Sequence, residues 1–290
     1  MCIRDSYNIL DINHWLTPLY AHKETSLRGL QLQTNWARTI GTIGNPNKYG
    51  YFMLICISLS FVHILNKRRL MIHSIIYFIS TLSLIYTLSR TSILTFIIIM
   101  IAILFVFYKK SGNLSRILRY VLISGCILLI ISGYFITEGV ENRLLKLDTS
   151  SYMHSKYARI RDFKLPYIVI YRNPQYLLFG KGPSKDFIKT SLHNDYSWML
   201  ERYGIIALFA YLLLIYRGNK YSYKYYNMSN NFENDIPLLT VLSIFIIFFI
   251  YAFAEDVFKD VKIMSMNMVF MAIISNYHYS KKQHMSIENQ

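Results

Sequence analysis

The chain has 290 residues, 53% of them hydrophobic, and carries 31 Lys and Arg against 16 Asp and Glu, a net charge of +15. With only 16% charged residues it is too apolar for a nucleic-acid-binding protein, and its apolar and aromatic content excludes a disordered chain. Cys56 and Cys126 lie inside apolar runs, which excludes a disulfide scaffold. We therefore predict an all-α, polytopic integral membrane protein.

The amino terminus is interpreted separately from the rest of the chain. Residues 1–6 resemble the translated end of a sequencing adapter, and no apolar core follows them as it would in a signal peptide. We interpret them as a non-native scar and expect the natural protein to begin upstream. Residues 7–48 are then predicted to be an extracytoplasmic segment that leads into the membrane.

About seven transmembrane helices are predicted from apolar segments long enough, or nearly long enough, to cross a bilayer as helix, which takes roughly 17 to 25 residues. The segments are 49–65, 71–88, 92–108, 120–136, 203–216, 237–253 and 262–277. The fifth segment is short, so we expect its helix to begin earlier, near Asn194. The spans group into helices 1–4 (49–136) and helices 5–7 (203–277), separated by one large loop (137–202).

Basic residues predict the orientation, because they concentrate in every second connection. Twelve of them follow the first, third, fifth and seventh spans: Lys67, Arg68, Arg69, Lys109, Lys110, Arg116, Arg119, Arg217, Lys220, Lys224, Lys281 and Lys282. By the positive-inside rule this side is cytoplasmic, together with the tail 278–290. The segment 7–48 and the loop 137–202 then lie on the outer face, where we expect the chemistry of the protein.

Two arginines on the predicted outer side are candidates for anion binding. Arg90 lies in a three-residue turn between two spans, where a permanent charge must either snorkel to the membrane surface or contact an anion. Arg38 precedes the glycine-rich approach to the first span. It is either a second anion contact or an interfacial charge.

The large loop carries further candidates. Its middle part contains Arg159 and Arg161, and Gly180-x-Gly182 is interpreted as a plain turn because it lacks the spacing of a phosphate-binding loop. His193 and Asn194 directly precede the fifth span. A histidine at a helix start faces the positive helix end, which favours the neutral imidazole that a general base requires. The alternative is a solvated loop histidine.

A metal site is not predicted. Glu255, Asp256 and Asp260 could gather a cation, but Lys259 and Lys262 lie among them and no His or Cys ligand has suitable spacing. Helix capping is the favoured interpretation of these carboxylates, and we expect no cofactor.

Three motifs occur in order on the predicted outer side. They are Arg38-x-x-Gly41 leading to Asn45-Pro46-Asn47, then Leu88-Ser89-Arg90-Thr91, and finally His193-Asn194-Asp195-Tyr196 running to Glu201-x-x-Gly204. In these motifs the chain resembles the O-antigen ligase and polymerase family of bacterial membrane glycosyltransferases. The resemblance covers about residues 38–216.

The resemblance implies a specific reaction on the periplasmic or extracytoplasmic face of the cytoplasmic membrane. A glycan is transferred from an undecaprenyl-pyrophosphate carrier to an acceptor hydroxyl, without nucleotide sugar, metal or cofactor, and with inversion. It implies that His193 is the catalytic base and that Arg90 contacts the leaving pyrophosphate. Arg38, Asn194 and either Arg159 or Arg161 are the implied binding residues for pyrophosphate or glycan; spacing does not choose between the last two.

Three functions are compatible with these features. The first is a polymerase of O-antigen, capsular or exopolysaccharide repeat units, working with a chain-length regulator and a flippase. The second is an O-antigen ligase that transfers the glycan to the lipid A core. The third, from another class, is a flippase for lipid-linked oligosaccharides, which should carry ionisable residues within its spans. The predicted spans hold almost none, which favours an enzyme over a flippase. Between the two enzymes we favour the polymerase, because the Tyr and basic residues of the large loop suit sugar stacking and acidic repeat units.

Overall fold

The protein is described by a computed structural model in which every regular element of the described residues is an α-helix. The described residues are 46–87, 89–112, 149–182, 194–229, 232–255, 257–258 and 261–288. In chain order the helices are α1 (Pro46–Leu65), α2 (Leu70–Tyr86), α3 (Arg90–Ser111), α4 (Thr149–Arg172), α5 (Tyr176–Phe179), α6 (Asp195–Met228), α7 (Phe232–Tyr251) and α8 (Val261–Glu288). The predicted all-α class is confirmed for this part of the chain.

The chain divides into two compact units, residues 1–152 and 153–290. In the first unit α1 packs against α2 and α3, and α2 also contacts α3. In the second unit α6 packs against α5, α7 and α8, and α7 contacts α8. Each unit therefore contains a group of helices that pack against one another.

A tight turn joins α1 to α2. Lys67 and Arg69 have positive φ values of 56° and 45°, a backbone conformation that side chains other than glycine seldom adopt. Asn66 stabilises the turn, since its Nδ2 donates a hydrogen bond to the carbonyl of Val62 at 2.8 Å. The predicted basic connection after the first span is therefore a turn of only four residues, 66–69.

Helix α3 has one buried face and one exposed apolar face. The buried face includes Thr95, Ile99, Ile103 and Phe107, which recur at helical spacing. The exposed face includes Leu94, Ile97, Ile98, Ile101, Phe105 and Tyr108. Soluble proteins rarely expose so continuous an apolar stripe, and a helix of 22 residues is long enough to cross a membrane.

In the second unit the buried face of α6 packs on α7 and α8. A core cluster of Val241, Phe245 and Ile274 lies among these helices. Gly218 allows the close approach of α6 to α7, because a Cβ at this position would meet the ring of Phe245 at 2.9 Å. The opposite face of α6 exposes Ile205, Ile206, Phe209, Leu212 and Tyr216.

Three helical segments in the described residues are long and apolar enough to span a membrane: Asn47–Leu65, Arg90–Ser111 and Asp195–Met228. Three shorter apolar segments accompany them: Leu70–Tyr86, Asp235–Tyr251 and Ile263–Tyr277. The membrane character of the chain is supported to this extent. The predicted fourth span, 120–136, lies outside the described residues, and the count of seven stays a prediction.

The fifth predicted span corresponds to α6, which begins where the sequence suggested but ends later than predicted. Its first residue is Asp195, with Asn194 as N-cap, and it continues past the predicted end at residue 216 to Met228. Similarly, the predicted tail from residue 278 belongs to α8 as far as Glu288. The predicted large loop, 137–202, contains α4, α5 and the first turns of α6, so much of its described part is helical.

Candidate functional site

The structure describes some of the six predicted site residues and not others. Arg38 and His193 lie outside the described residues, and Arg159 is described only as a backbone position in α4. Arg161 is exposed on α4. Arg90 and Asn194, in contrast, lie at the starts of α3 and α6.

Arg90 is the first residue of α3 and follows a buried, hydrogen-bonded turn. The Thr87 hydroxyl donates to the carbonyl of Leu84 at 2.7 Å and accepts the N–H of Ser89 at 3.2 Å. Ser89 is the N-cap, with its Oγ accepting the N–H of Ser92 at 3.3 Å. The side chain of Arg90 is exposed at this helix start.

The position of Arg90 is electrostatically unusual. A helix amino terminus carries partial positive charge, so a guanidinium there is disfavoured by a few tenths of a kcal/mol to about 1 kcal/mol. An anion placed at the same point would interact favourably with both the guanidinium and the helix end. This arrangement suits the anion-binding interpretation of Arg90 better than simple helix stabilisation.

Asn194 connects the start of α6 to the turn between α7 and α8. Its Oδ1 accepts the N–H of Ser197 at 3.1 Å, which makes it the N-cap of α6. Its Nδ2 donates to the carbonyl of Phe253 at 2.9 Å. Asn194 is 2% exposed, so both ends of its amide are engaged in a buried environment.

The next two residues add further hydrogen bonds to the same turn. The N–H of Asp195 donates to the carbonyl of Ala252 at 2.9 Å, and its Oδ2 accepts the N–H of Phe258, also at 2.9 Å. The hydroxyl of Tyr196 donates to the carbonyl of Phe249 at 2.8 Å. The start of α6 is therefore held by bonds to residues more than 50 positions away in sequence.

Aromatic rings surround this helix start. Tyr196 contacts Phe253, with ring centroids 4.4 Å apart, and also contacts Tyr211. Trp198 packs edge-on against Tyr203 at 5.3 Å and lies 6.1 Å from Phe258. These rings pack the first turn of α6 against the turn between α7 and α8.

A break in α6 lies two turns after its start. Gly204 has φ 77° and ψ −174°, so the helix is interrupted there. The segment around Gly180 crosses this break so closely that a Cβ on Gly204 would clash with the carbonyl of Leu178, and a Cβ on Gly180 would clash with the backbone of Arg202. Only glycine fits at either position.

Backbone hydrogen bonds fix the crossing segment to the break. The N–H of Lys181 donates to the carbonyl of Glu201 at 3.0 Å, and the N–H of Gly182 donates to the carbonyl of Arg202 at 2.9 Å. A continuous helix would use these carbonyls for its own N–H groups four residues later. The Gly180-x-Gly182 stretch is thus more than the plain turn that the sequence indicated, because it replaces the helical hydrogen bonds that the break removes.

A side-chain ion pair reinforces this crossing. The Nζ of Lys181 lies 3.2 Å from Oε1 of Glu201, whose side chain is 1% exposed. The other carboxylate oxygen, Oε2, is buried and has no hydrogen-bond partner within the described part of the chain. A buried carboxylate is costly without a cationic partner, so Lys181 makes this position of Glu201 tolerable.

Lys181, Asp195 and Glu201 are the residues of this region whose roles the sequence did not reveal. The sequence contains one indication that Glu201 has a role, since this acidic residue lies three positions before a glycine and next to an apolar span. It contains none for Lys181, because its partner is 20 residues away.

The acidic residues of the α7–α8 turn form no described metal site. Glu255 is buried, whereas Asp256 and Asp260 lie outside the described residues. Among the residues described, no group of three or more His, Cys, Asp or Glu side chains is placed to hold a metal ion.

No family model, curated protein or solved structure matches this chain. The resemblance to membrane glycosyltransferases therefore rests on the three sequence motifs. The geometry adds local detail at two of them: the capped start of α3 at Arg90, and the hydrogen-bonded start of α6 at Asn194.

Proposed function

We propose that this protein is an inverting, metal-independent membrane glycosyltransferase that uses a polyprenyl-pyrophosphate-linked glycan as donor. The observation that carries the proposal is the start of α6. There the residue adjoining His193, Asn194, is a buried N-cap whose amide bonds both its own helix and the carbonyl of Phe253. A base must be held in position to take a proton, and His193 is covalently attached to this fixed point.

The proposed reaction is a single displacement at the anomeric carbon. The acceptor hydroxyl oxygen forms a bond to that carbon while the bond from carbon to the pyrophosphate oxygen breaks. His193 takes the proton from the hydroxyl, and the electron pair leaves with the pyrophosphate. One base suffices, and a carboxylate nucleophile is not required for inversion.

Arginines are proposed to stabilise the leaving group. Arg90 is assigned the main contact, with contributions from Arg38 and from Arg159 or Arg161. Guanidinium–phosphate contacts are charge-assisted and often bidentate, and they strengthen as the leaving oxygen gains charge. The resemblance assigns Asn194 to glycan binding, but both ends of its side-chain amide are bonded, its carbonyl accepts the N–H of Trp198 at 3.0 Å and it is 2% exposed. Its proposed role is therefore to hold the start of α6 next to His193.

The proposed acceptor is a growing lipid-linked repeat unit on the outer face of a bacterial cytoplasmic membrane, which makes the protein a polysaccharide polymerase. The first alternative is ligation to the lipid A core by the same chemistry. The tyrosines and basic residues of 137–202 suit contacts with sugar rings and acidic repeat units. They are the reason for preferring the polymerase.

A second candidate, a flippase for lipid-linked oligosaccharides, is favoured by one observation. The predicted spans held almost no ionisable residues, but α6 places the buried Glu201 beside a helix break within a candidate span. Broken helices and buried charges inside membranes are features of transport pathways. The ion pair with Lys181 gives Glu201 a structural explanation, so transport remains the second candidate.

Membranes that contain the full chain and undecaprenyl-pyrophosphate repeat units separate these functions. A ladder of products supports the polymerase, and a single transfer to added lipid A core supports the ligase. No transfer by either route would contradict the glycosyltransferase proposal and favour transport, which is then measured as movement of the lipid-linked glycan across sealed vesicles.

The same assay tests the proposed base. His193→Ala should abolish transfer while the protein remains inserted at normal abundance, because an alanine cannot accept a proton. His193→Gln is the matched variant that keeps a polar side chain without a basic nitrogen, and it should be equally inactive. Normal transfer by either variant would remove His193 from the reaction.

A further inference from the structure

Along its exposed face, helix α6 changes from apolar to basic side chains. From Ile205 to Tyr216 this face is apolar, and Phe209 and Tyr216 are 66% and 58% exposed. From Arg217 to Lys224 every exposed position is basic, and these positions are Arg217, Lys220 and Lys224. We call these three residues the basic stripe.

The basic stripe occupies one side of the helix. At 100° per residue, the three side chains fall within an arc of about 60°, and they extend over about 10 Å along the axis. None of them forms an ion pair with a carboxylate in the described part of the chain. Their charges are therefore available on one narrow surface.

The other side of this helical segment is firmly packed. Gly218, Ser222 and Tyr225 are buried, and the ring of Tyr225 contacts Tyr277 of α8 at 5.2 Å. The Ser222 hydroxyl donates to the carbonyl of Gly218 at 2.6 Å. The basic stripe is thus presented by a helix that is held within its unit, and its cations have a fixed spacing.

The contact between Lys220 and Tyr216 locates the boundary between the apolar and basic parts. The Nζ of Lys220 lies 5.5 Å from the centre of the Tyr216 ring, one helical turn back toward the apolar part. Lysine side chains on helices point toward the amino terminus, and tyrosine favours the membrane–water interface. The ammonium therefore lies level with the last aromatic residue of the apolar face.

We propose that the basic stripe binds the phosphodiester headgroups of anionic phospholipids in the leaflet where α6 leaves the membrane. The apolar part of the same face would contact the acyl chains of that lipid, and the arginine and lysines would contact its phosphate. Charge complementarity selects an anionic lipid, and continuity with the apolar face selects a lipid over an acidic protein. This inference does not depend on the proposed glycosyl transfer.

The test uses the full chain in nanodiscs of phosphatidylcholine with increasing phosphatidylglycerol. Native mass spectrometry counts the anionic lipid molecules that each protein retains. The stripe variant carries Arg217→Gln, Lys220→Gln and Lys224→Gln, and its apparent affinity for phosphatidylglycerol should fall about fivefold for each cation removed. The conservative variant Arg217→Lys keeps the charge and should bind almost as well as the wild type.

A matched control removes the same charge elsewhere. Lys67→Gln, Arg68→Gln and Arg69→Gln neutralise the turn between α1 and α2, whose cations do not share one helix face, and the loss of bound lipid should be smaller. In nanodiscs without phosphatidylglycerol, the stripe variant should unfold at the wild-type temperature because its three positions are exposed. If it unfolds earlier, the single change Lys224→Gln is used for the lipid measurement.

Three results would overturn the proposal. The first is equal lipid retention by the stripe variant and the wild type. The second is an equal loss in the control, which would indicate a general charge effect. The third is no preference of the wild type for phosphatidylglycerol over phosphatidylcholine, which would make an acidic protein surface the better partner for the stripe.

Discussion

At the scale of single residues, two short polar side chains define the helix starts on which the proposed function depends. Ser89 caps α3 next to Arg90, and Asn194 caps α6 next to His193. Caps satisfy backbone N–H groups that a helix leaves unpaired, and they fix the direction in which the preceding residue enters. Asn194 does more than cap, because its Nδ2 also bonds the carbonyl of Phe253.

Replacing Asn194 by alanine should therefore lower the free energy of unfolding more than the loss of a polar side chain with a single hydrogen bond does. We expect Asn194→Ala to lower the free energy of unfolding by about 1 to 2 kcal/mol, measured by thermal or denaturant unfolding in detergent. Asn219→Ala is the control, since Asn219 bonds only the carbonyl of Ile215 within its own helix. Equal effects of the two changes would contradict the special role of Asn194.

Arg90 is tested by a change that keeps its charge. Arg90→Lys retains a cation but loses the planar fork that binds phosphate in two places, so transfer from a lipid-pyrophosphate donor should slow by about 10-fold or more. Arg68→Lys, at an exposed position of the turn between α1 and α2 on the predicted cytoplasmic side, is the control and should leave the rate unchanged. An unchanged rate for Arg90→Lys would mean that Arg90 only anchors the turn.

At the scale of elements, the main feature is the break of α6 at Gly204 and the segment that crosses it. Two glycines permit the close approach, and the amides of Lys181 and Gly182 take over carbonyls of the broken helix. The segment 183–193, which ends in His193, is therefore preceded by residues fixed to α6 and followed by Asn194, which caps the same helix. Both attachments lie within the first two to three turns of α6.

The Lys181–Glu201 pair should stabilise this attachment, and a double-mutant cycle measures it. We expect Lys181→Met and Glu201→Gln each to destabilise the protein by about 1.5 to 3 kcal/mol, since either change leaves a charged group without its partner. The double variant should be destabilised by less than the sum, because neither charge is then unpaired.

Two further measurements make this prediction specific. Hydrogen exchange should become faster at the amides of Lys181 and Gly182 in the single variants. Lys164→Met, at an exposed position of α4, should change neither stability nor exchange. Additive effects in the cycle would show that the pair contributes nothing beyond its separate residues.

At the scale of the whole molecule, the charge and the exposed apolar faces give complementary information. The exposed apolar face of α3 is followed by Lys109, and that of α6 is followed by Arg217. Each apolar face therefore ends at a cation, as expected where a helix leaves a membrane. The total of +15 has meaning mainly through this distribution along the helices.

The predicted number of spans can be tested by labelling residues on either side of the predicted fourth span, 120–136. Cysteines introduced at Ser111 and Asn173 should lie on opposite sides if this segment crosses the membrane. A membrane-impermeant maleimide applied from outside should then label Asn173→Cys, and it should label Ser111→Cys only after permeabilisation. Asn227→Cys, after the fifth predicted span, should behave like Ser111→Cys. Labelling of Ser111→Cys and Asn173→Cys from the same side would contradict a fourth span.

The sequence by itself determined the features that depend on neighbouring residues. Apolar length and helical spacing identified six of the described helices, and the start of α6 was predicted near Asn194. These features are local, because a helix satisfies its backbone hydrogen bonds within a few residues. Helix ends were less predictable: α6 continues 12 residues past its predicted end, since packing on α7 and α8 supports it beyond the apolar segment.

Only the tertiary structure decided what the polar residues near the candidate site do. The bond of Asn194 to Phe253 joins residues 59 positions apart, and that of Asp195 to Phe258 joins residues 63 apart. Gly180-x-Gly182 had the pattern of an ordinary turn, because nothing in its own sequence indicates that it crosses the break at Gly204. Such contacts depend on which helices pack together, and that packing is set by the sum of many distant side chains.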